Sequence, residues 1–261
     1  MAATFASSMD GTRIAYDVTG SGPALVLLHG AGKTRRDWHK TGYVERLKDV
    51  FTVITVDIRG TGESDVLTDL SDYAVDKVCA DVVAVADACG AERFLLWGYS
   101  LGGHIGKQLA ARTDRVGALA VIGVPLWGPI VDEVFGEFIT SFVTKWQPVA
   151  DEYKVGKTTE TAKKSTIKGR IPVWVAFFQA MRDWPAIDPT AIRCPCMLVA
   201  GAKGETGAAT WAESNRAALD AAGVQVELLE GLNHVQEFSQ IDRVFPVARE
   251  FLTRHCYEVP D

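Results

Sequence analysis

The segment Gly98-Tyr99-Ser100-Leu101-Gly102 places a hydroxyl nucleophile between glycines two residues before and two residues after it. An apolar run from residue 93 leads into it, and a helix-like pattern near 101–113 leads away. This strand-turn-helix setting is the signature of a nucleophile elbow, whose backbones pack so tightly that side chains are excluded beside the serine. A serine held there projects its Oγ from the sheet edge. The following helix offers free N–H groups and a positive dipole end to an anion forming beside it.

A serine hydroxyl at neutral pH needs a base within hydrogen-bond reach and donors for the oxyanion on the attacked carbonyl. His234, in Gly231-Leu232-Asn233-His234-Val235, follows the last expected strand in a loop that can reach the same sheet edge. His255, the other histidine beyond that strand, lies in the tail of the final helix. After the run 24–28 comes His29-Gly30-Ala31-Gly32, where small residues let the backbone approach a carbonyl. The N–H groups of Ala31 and Leu101 are the candidate oxyanion donors, and His29 reads as a brace for its loop. The segment Asp57-Ile58-Arg59-Gly60-Thr61-Gly62-Glu63-Ser64 reads as a structural turn, since its spacing fits neither a phosphate-binding loop nor a dinucleotide fingerprint.

Strand-like runs alternate with helical ones, which predicts an α/β fold with a mostly parallel sheet and helices on both faces. The strands are expected at 12–18, 24–28, 51–57, the run ending at Tyr99, 118–124, 196–200 and 224–229. Continuous apolarity in most of them suits interior parallel strands. Residues 73–89 read as a helix closed by Gly90. Between 126 and 192 the alternation stops, which divides the chain into a core of 1–125 and 193–261 and an inserted helical cap. In the cap Val131, Val134, Phe135, Phe138, Ile139, Phe142, Val143 and Trp146 follow helical spacing, and a second apolar stretch covers 173–181. Most of these residues are expected to be core contacts and a minority to line a pocket. The polar, Lys-rich 151–170 is expected to be exposed.

The 261 residues are 48% hydrophobic and 23% charged, enough for a substantial core, and the net charge of -6 argues against a general nucleic-acid binder. No stretch approaches the roughly 18 apolar residues of a membrane span, and the first residues lack a signal-peptide pattern. A cytoplasmic protein is the expectation. Five scattered cysteines do not form a secreted disulfide framework, and Cys194-Pro-Cys196 is one residue short of a redox pair.

The motifs HGAG, DIRGTGES, GYSLGG and GLNHVQEF, in this order, resemble the α/β-hydrolase fold family of serine hydrolases. The resemblance covers the chain outside the cap. It implies an eight-stranded sheet, a serine-acid-histidine triad in that chain order, two backbone oxyanion donors, a cap between strands six and seven, and no cofactor or metal. Ser100 then matches the nucleophile, His234 the base, and Ala31 and Leu101 the oxyanion donors. The dehalogenase and epoxide-hydrolase branches carry aspartate at the elbow, so the serine points away from them. One position departs: Gly201-Ala202-Lys203-Gly204 has glycine where the family acid belongs, so Glu205 is the expected acid. The alternatives are another carboxylate or a triad without one. The end of strand six, Val124-Pro125-Leu126-Trp127, offers none, and Asp132 and Glu133 fall in the expected cap helix.

The function expected is hydrolysis of a small or medium carboxylic ester, thioester or lactone through an acyl-enzyme on Ser100, with a small molecule as partner. Two rival readings use the same residues: carbon–carbon hydrolysis or cofactor-free oxygen chemistry, and a ligand-binding member that lost efficient catalysis. Exposed apolar cap residues would equally serve a homodimer contact.

Overall fold

The sheet has eight strands in the order β1-β2-β4-β3-β5-β6-β7-β8 in a computed structural model that describes residues 4–154 and 170–256. The strands are β1 (Thr4–Ser7), β2 (Arg13–Thr19), β3 (Ala24–Leu28), β4 (Thr52–Val56), β5 (Phe94–Tyr99), β6 (Val116–Ile122), β7 (Cys196–Gly201) and β8 (Gln225–Leu229). The β1–β2 and β2–β4 pairings are antiparallel and the rest are parallel. Seven strands match runs visible in the sequence. β1 was missed because it is an edge strand in which only Ala6 is buried, leaving no apolar period to detect.

In β5, β6 and β7 every residue is buried, which is why they read as unbroken apolar runs. Their side chains alternate between two cores. Leu96 and Leu119 face one with Val26 and Leu28, while Leu95, Trp97 and Ala120 face the other with Leu25 and Leu27. The short helices α1 (Arg35–Lys40) and α2 (Tyr43–Leu47) cover the second face with Trp38 and Leu47. α3 (Val75–Ala88) and α4 (Leu101–Ala110) cover the first. Val78, Val82 and Val85 anchor α3, and Gly90 at φ 68° turns the chain at its end.

Among the described residues between β6 and β7 stand the α-helices α5 (Glu133–Lys154) and α6 (Ile171–Met181). The Lys-rich 151–170 falls outside the described residues except at its two ends. Ile139 of α5 is fully buried, whereas Phe138 is half exposed. A two-way backbone bridge between Gly128 and Ile187 closes the base of this insertion, and Trp184 Nε1 clasps it to the sheet domain by donating to Tyr73 O at 3.0 Å. Arg170 donates to Gly60 O at 2.5 Å and Gly62 O at 2.7 Å. After β7 come α7 (Ala208–Ser214) and α8 (Arg216–Ala221), then α9 (Gln236–Ser239) and α10 (Ile241–His255) beyond β8. No helix among the described residues is long and apolar enough to cross a membrane.

The turn after β4 is a structural tie, as its spacing suggested. Asp57 accepts from the Arg35 backbone at 2.7 Å and the Glu63 backbone at 2.9 Å, and pairs with the buried Arg35 guanidinium. Gly62 is obligatory there, because a Cβ would fall 2.0 Å from Asp57 Oδ2. Ser64 completes the tie, donating to Asp57 O at 2.7 Å and accepting from Ala15 N at 2.8 Å.

Lys107 on α4 is fully buried, and its ammonium donates to Pro125 O at 2.6 Å. Burial pushes its pKa from 10.5 down to about 7, with Asp132 partly opposing the shift. Below that pH the fold must hold a buried charge. Between it and the ordinary lysine value the unfolded chain binds more protons than the folded one, so this group makes stability rise with pH across that window. Lys107→Met is therefore expected to raise stability at pH 6 by about 1–3 kcal/mol, after losing the hydrogen bond, and by clearly less at pH 9. Urea midpoints at the two pH values check this, and equal gains would contradict a neutral buried amine.

Candidate active site

β3 lies between β4 and β5, so the chain leaves it toward one side and returns on the other. Loops at the carboxyl ends of β3 and β5 diverge at such a switch point and open a crevice. The register pairs Leu28 with Gly98, which brings the loop carrying His29-Gly30-Ala31 level with Ser100.

Ser100 has φ 53° and ψ -116°, the one positive φ outside glycine among the described residues. The glycines around it are there for space. A Cβ at Gly98 would lie 2.4 Å from Gly102 O, and one at Gly102 would lie 2.1 Å from Leu28 O. At Gly30 it would meet the Tyr99 ring at 2.7 Å and Ser100 Cβ at 3.0 Å. Gly102 N donates to His29 O at 3.0 Å, locking the two loops together. His29 is fully buried: Nδ1–H donates to Gly30 O at 2.8 Å and Nε2 accepts from Ile58 N at 3.2 Å. Burial holds its pKa below the ordinary histidine value, consistent with this neutral bracing role.

Ser100 Oγ donates to His234 Nε2 at 2.8 Å, and His234 Nδ1–H donates to Glu237 Oε2 at 2.7 Å. Glu237 is 1% exposed, and its other oxygen accepts from Gly201 N at 2.7 Å. Imidazole and carboxylate come from one helical turn. Asn233 caps it, accepting from Gln236 N at 2.9 Å while Gln236 Oε1 accepts from Asn233 N at 3.0 Å, a reciprocal capping arrangement. Three residues apart on that turn, His234 and Glu237 face the same way. Tyr99 fixes the ring from the other side, donating from its hydroxyl to His234 O at 2.7 Å and stacking at 5.1 Å.

The structure brings Ser100 and His234 together but does not bring Glu205 to the imidazole. Glu205 is exposed and accepts from the His234 backbone N–H at 3.3 Å. Backbone N–H groups, its own first and then that of His234, hold its carboxyl below the usual range. The physical reason lies at Gly204, where a Cβ would stand 3.1 Å from Glu237 Oε1. The space that an acid at 204 would fill is taken by a carboxylate arriving from α9. Glu237 was legible in GLNHVQEF as an acid three residues after the histidine, behind an Asn-x-x-Gln cap.

Ala31, Ser100, Leu101 and His234 line one cavity of about 420 Å³. Leu101 opens α4, so its N–H has no partner within the helix. Val124, Pro125 and Ile130 supply apolar wall, and Phe135, Phe138, Phe178 and Met181 of α5 and α6 form the roof. Lys33 stands at the rim with its ammonium 4.3 Å from the centre of the Phe238 ring, and burial lowers its pKa. No cluster of three or more potential metal ligands occurs among the described residues.

A family model described as an alpha/beta hydrolase fold matches residues 23–155. An N-formylmaleamate deformylase from Pseudomonas putida is 35% identical over 112 residues, 42% of this chain and 40% of that protein. A fluoroacetate dehalogenase from Burkholderia sp is 34% identical over 111 residues, 41% of this chain and 36% of that protein. The chain thus spans less than half the length of the curated relatives it matches. A thermophilic esterase from Thermogutta terrifontis superposes with TM-score 0.75 and 22% identity, over 98% of this chain and 100% of that one, a likeness of fold.

The Ser100 backbone conformation costs on the order of 1–3 kcal/mol in a non-glycine residue. Ser100→Gly relieves it while losing one hydrogen bond of about 1 kcal/mol. The expected result is a higher thermal midpoint than that of Ser100→Ala, measured by calorimetry. Equal midpoints for the two variants would show that no strain is held at this turn.

Proposed function

We propose that this chain, which belongs to the alpha/beta hydrolase fold family, cleaves a small or medium carboxylic ester, thioester or lactone through an acyl-enzyme on Ser100. The observation that carries the reading is the unbroken line of hydrogen bonds from Ser100 Oγ through the His234 ring to the buried Glu237 carboxylate. His234 Nε2 takes the hydroxyl proton as Oγ attacks the carbonyl. The N–H groups of Ala31 and Leu101 hold the developing oxyanion, and the same imidazole returns the proton to the leaving alcohol or thiol. Water, deprotonated by His234, then attacks the acyl-enzyme and releases the acid. Glu237 keeps Nδ1 protonated and aimed, and steadies the imidazolium that forms. It takes the role that the sequence had suggested for Glu205.

Two features bear on the substrate. A cavity of about 420 Å³ suits a small ligand, and its roof of aromatic side chains favours an apolar body. The serine at the elbow supports an acyl-enzyme rather than the chemistry of the aspartate-bearing branches. A buried Glu237 carboxylate on the imidazole supports a working triad over a ligand binder that lost its acid.

The expected outcome with a fluorophosphonate probe is a stoichiometric mass gain that Ser100→Ala abolishes. No gain in the parent protein would count against an activated serine. On a reactive ester, Glu237→Ala is expected to lower kcat by roughly ten-thousand-fold, as loss of the acid does in other serine hydrolases. Glu205→Ala is expected to stay within about threefold, since it removes only an exposed contact to backbone. Gly204→Asp placed in Glu237→Ala is expected to recover part of the loss, because the vacated space then admits the acid from β7. A larger loss in Glu205→Ala than in Glu237→Ala would reassign the acid.

A further inference from the structure

Helix α4 carries His104, Lys107 and Gln108 in a polar row facing the base of the cap, all of them buried. Two members of the row are anchored there. Lys107 donates to Pro125 O at 2.6 Å, and Gln108 Nε2 donates to Pro185 O at 2.7 Å. His104 has no such anchor: its Nδ1 is buried without a hydrogen-bond partner. The ring lies flat against Phe135, with centroids 5.5 Å apart and planes 6° from parallel. Burial, with Lys107 and His234 adding to it, holds its pKa well below the ordinary value, so the imidazole is neutral and offers one donor and one acceptor.

His104 is 6% exposed and lines the same cavity as Ser100. The same lining holds the apolar Val124, Pro125, Phe135 and Met181 together with Asp132, whose Oδ1 accepts from Phe135 N at 2.8 Å. Leaving a buried polar group unpaired costs about 1–3 kcal/mol, so a histidine without a partner in the wall of a cavity calls for one. Among the described residues five other buried side-chain atoms lack a partner. Ser8, Trp38, Arg93 and Thr253 are remote from this cavity. Thr206 belongs to its lining, but its Oγ1 lies on the Glu237 side, 3.8 Å from where a Cβ at Gly204 would stand.

We propose that His104 is a specificity-determining residue that hydrogen-bonds an oxygen on the acyl part of the substrate, so that the preferred class is an oxo- or hydroxy-substituted carboxylic ester or lactone. This rests on the reading of Ser100 as nucleophile. Among the residues lining the cavity Val235 is 64% exposed and His104 6%, so His104 lies on the more enclosed side, and the proposal places the acyl part there with the leaving group toward Val235. Four residues of helix separate His104 from Ser100 by about 6 Å. An axial offset of that size puts His104 several bonds along an acyl chain from the carbon at Ser100, which is why oxo groups at positions 4 and 5 are compared.

The test compares kcat/KM for p-nitrophenyl hexanoate with its 4-oxo and 5-oxo analogues. The expected result is a preference of about tenfold or more for one oxo ester, as one satisfied buried polar group provides. His104→Phe keeps the ring stack and is expected to bring the ratio close to one, while His104→Gln, which retains a donor and an acceptor, keeps part of it. His104→Leu reads the same ratio should the phenylalanine variant not fold. Absence of an oxo preference in the parent protein overturns the proposal, as does a preference that survives in the apolar variant. Fluorophosphonate labelling separates the two levels: labelled protein with no oxo preference sinks this inference alone, whereas unlabelled protein sinks the nucleophile reading with it.

Discussion

Close approach of backbone to backbone at the carboxyl ends of β3 and β5 is the constraint on which the rest of the site depends. Gly30, Gly98 and Gly102 each stand where a Cβ would collide with backbone or with the elbow itself. Only this proximity brings the Ala31 loop level with Ser100 and the start of α4. It also forces Ser100 out of the ordinary backbone regions. The surrounding structure must therefore over-determine the turn. It does so with the Gly102–His29 bond, the buried His29 brace and the Asp57–Arg35 tie beneath it.

Against that long-range assembly, the pairing of imidazole and carboxylate is local. His234 and Glu237 share one capped turn, so their mutual geometry is set by helix periodicity rather than by the packing of two distant loops. What remains long-range is where the carboxylate is received. The Gly201 N–H bonds it, Gly204 leaves it room, and a Cβ at Gly123 would fall 2.1 Å from it. Glycine at 204 is thus the complement of a glutamate at 237, and a departure that looked like a loss in the sequence is one half of an exchange.

This contrast explains what could be read from the chain before its structure. The elbow was legible because its signals are contiguous: an apolar strand, two glycines, a serine and a helix start. Interior strands announced themselves by unbroken apolarity, and the helical spacing of residues 131–146 marked an element that runs from Glu133 to Lys154. β1 escaped because an exposed edge strand has no buried face to repeat. The carboxylate partner escaped for a different reason. Glu205 and Glu237 are both near a site loop in sequence, and only the tertiary contacts of Gly201, Gly204 and Gly123 decide between them.

Helix α4 joins the reacting end of the molecule to its roof. Its first residue follows the nucleophile, while Lys107 and Gln108 further along hold Pro125 and Pro185 at the base of the inserted helices. Arg170 and Trp184 fasten the same insertion to the turn after β4 and to Tyr73. Floor and roof of the cavity thus share one scaffold. The upper aromatic side chains are less constrained, with Phe138 half exposed beside Phe178. On the proposed reading, selectivity comes from side chains that the inserted helices and α4 turn inward, since the serine, histidine and carboxylate treat any acyl carbonyl alike. That division is why membership of a family with this fold fixes so little about the substrate.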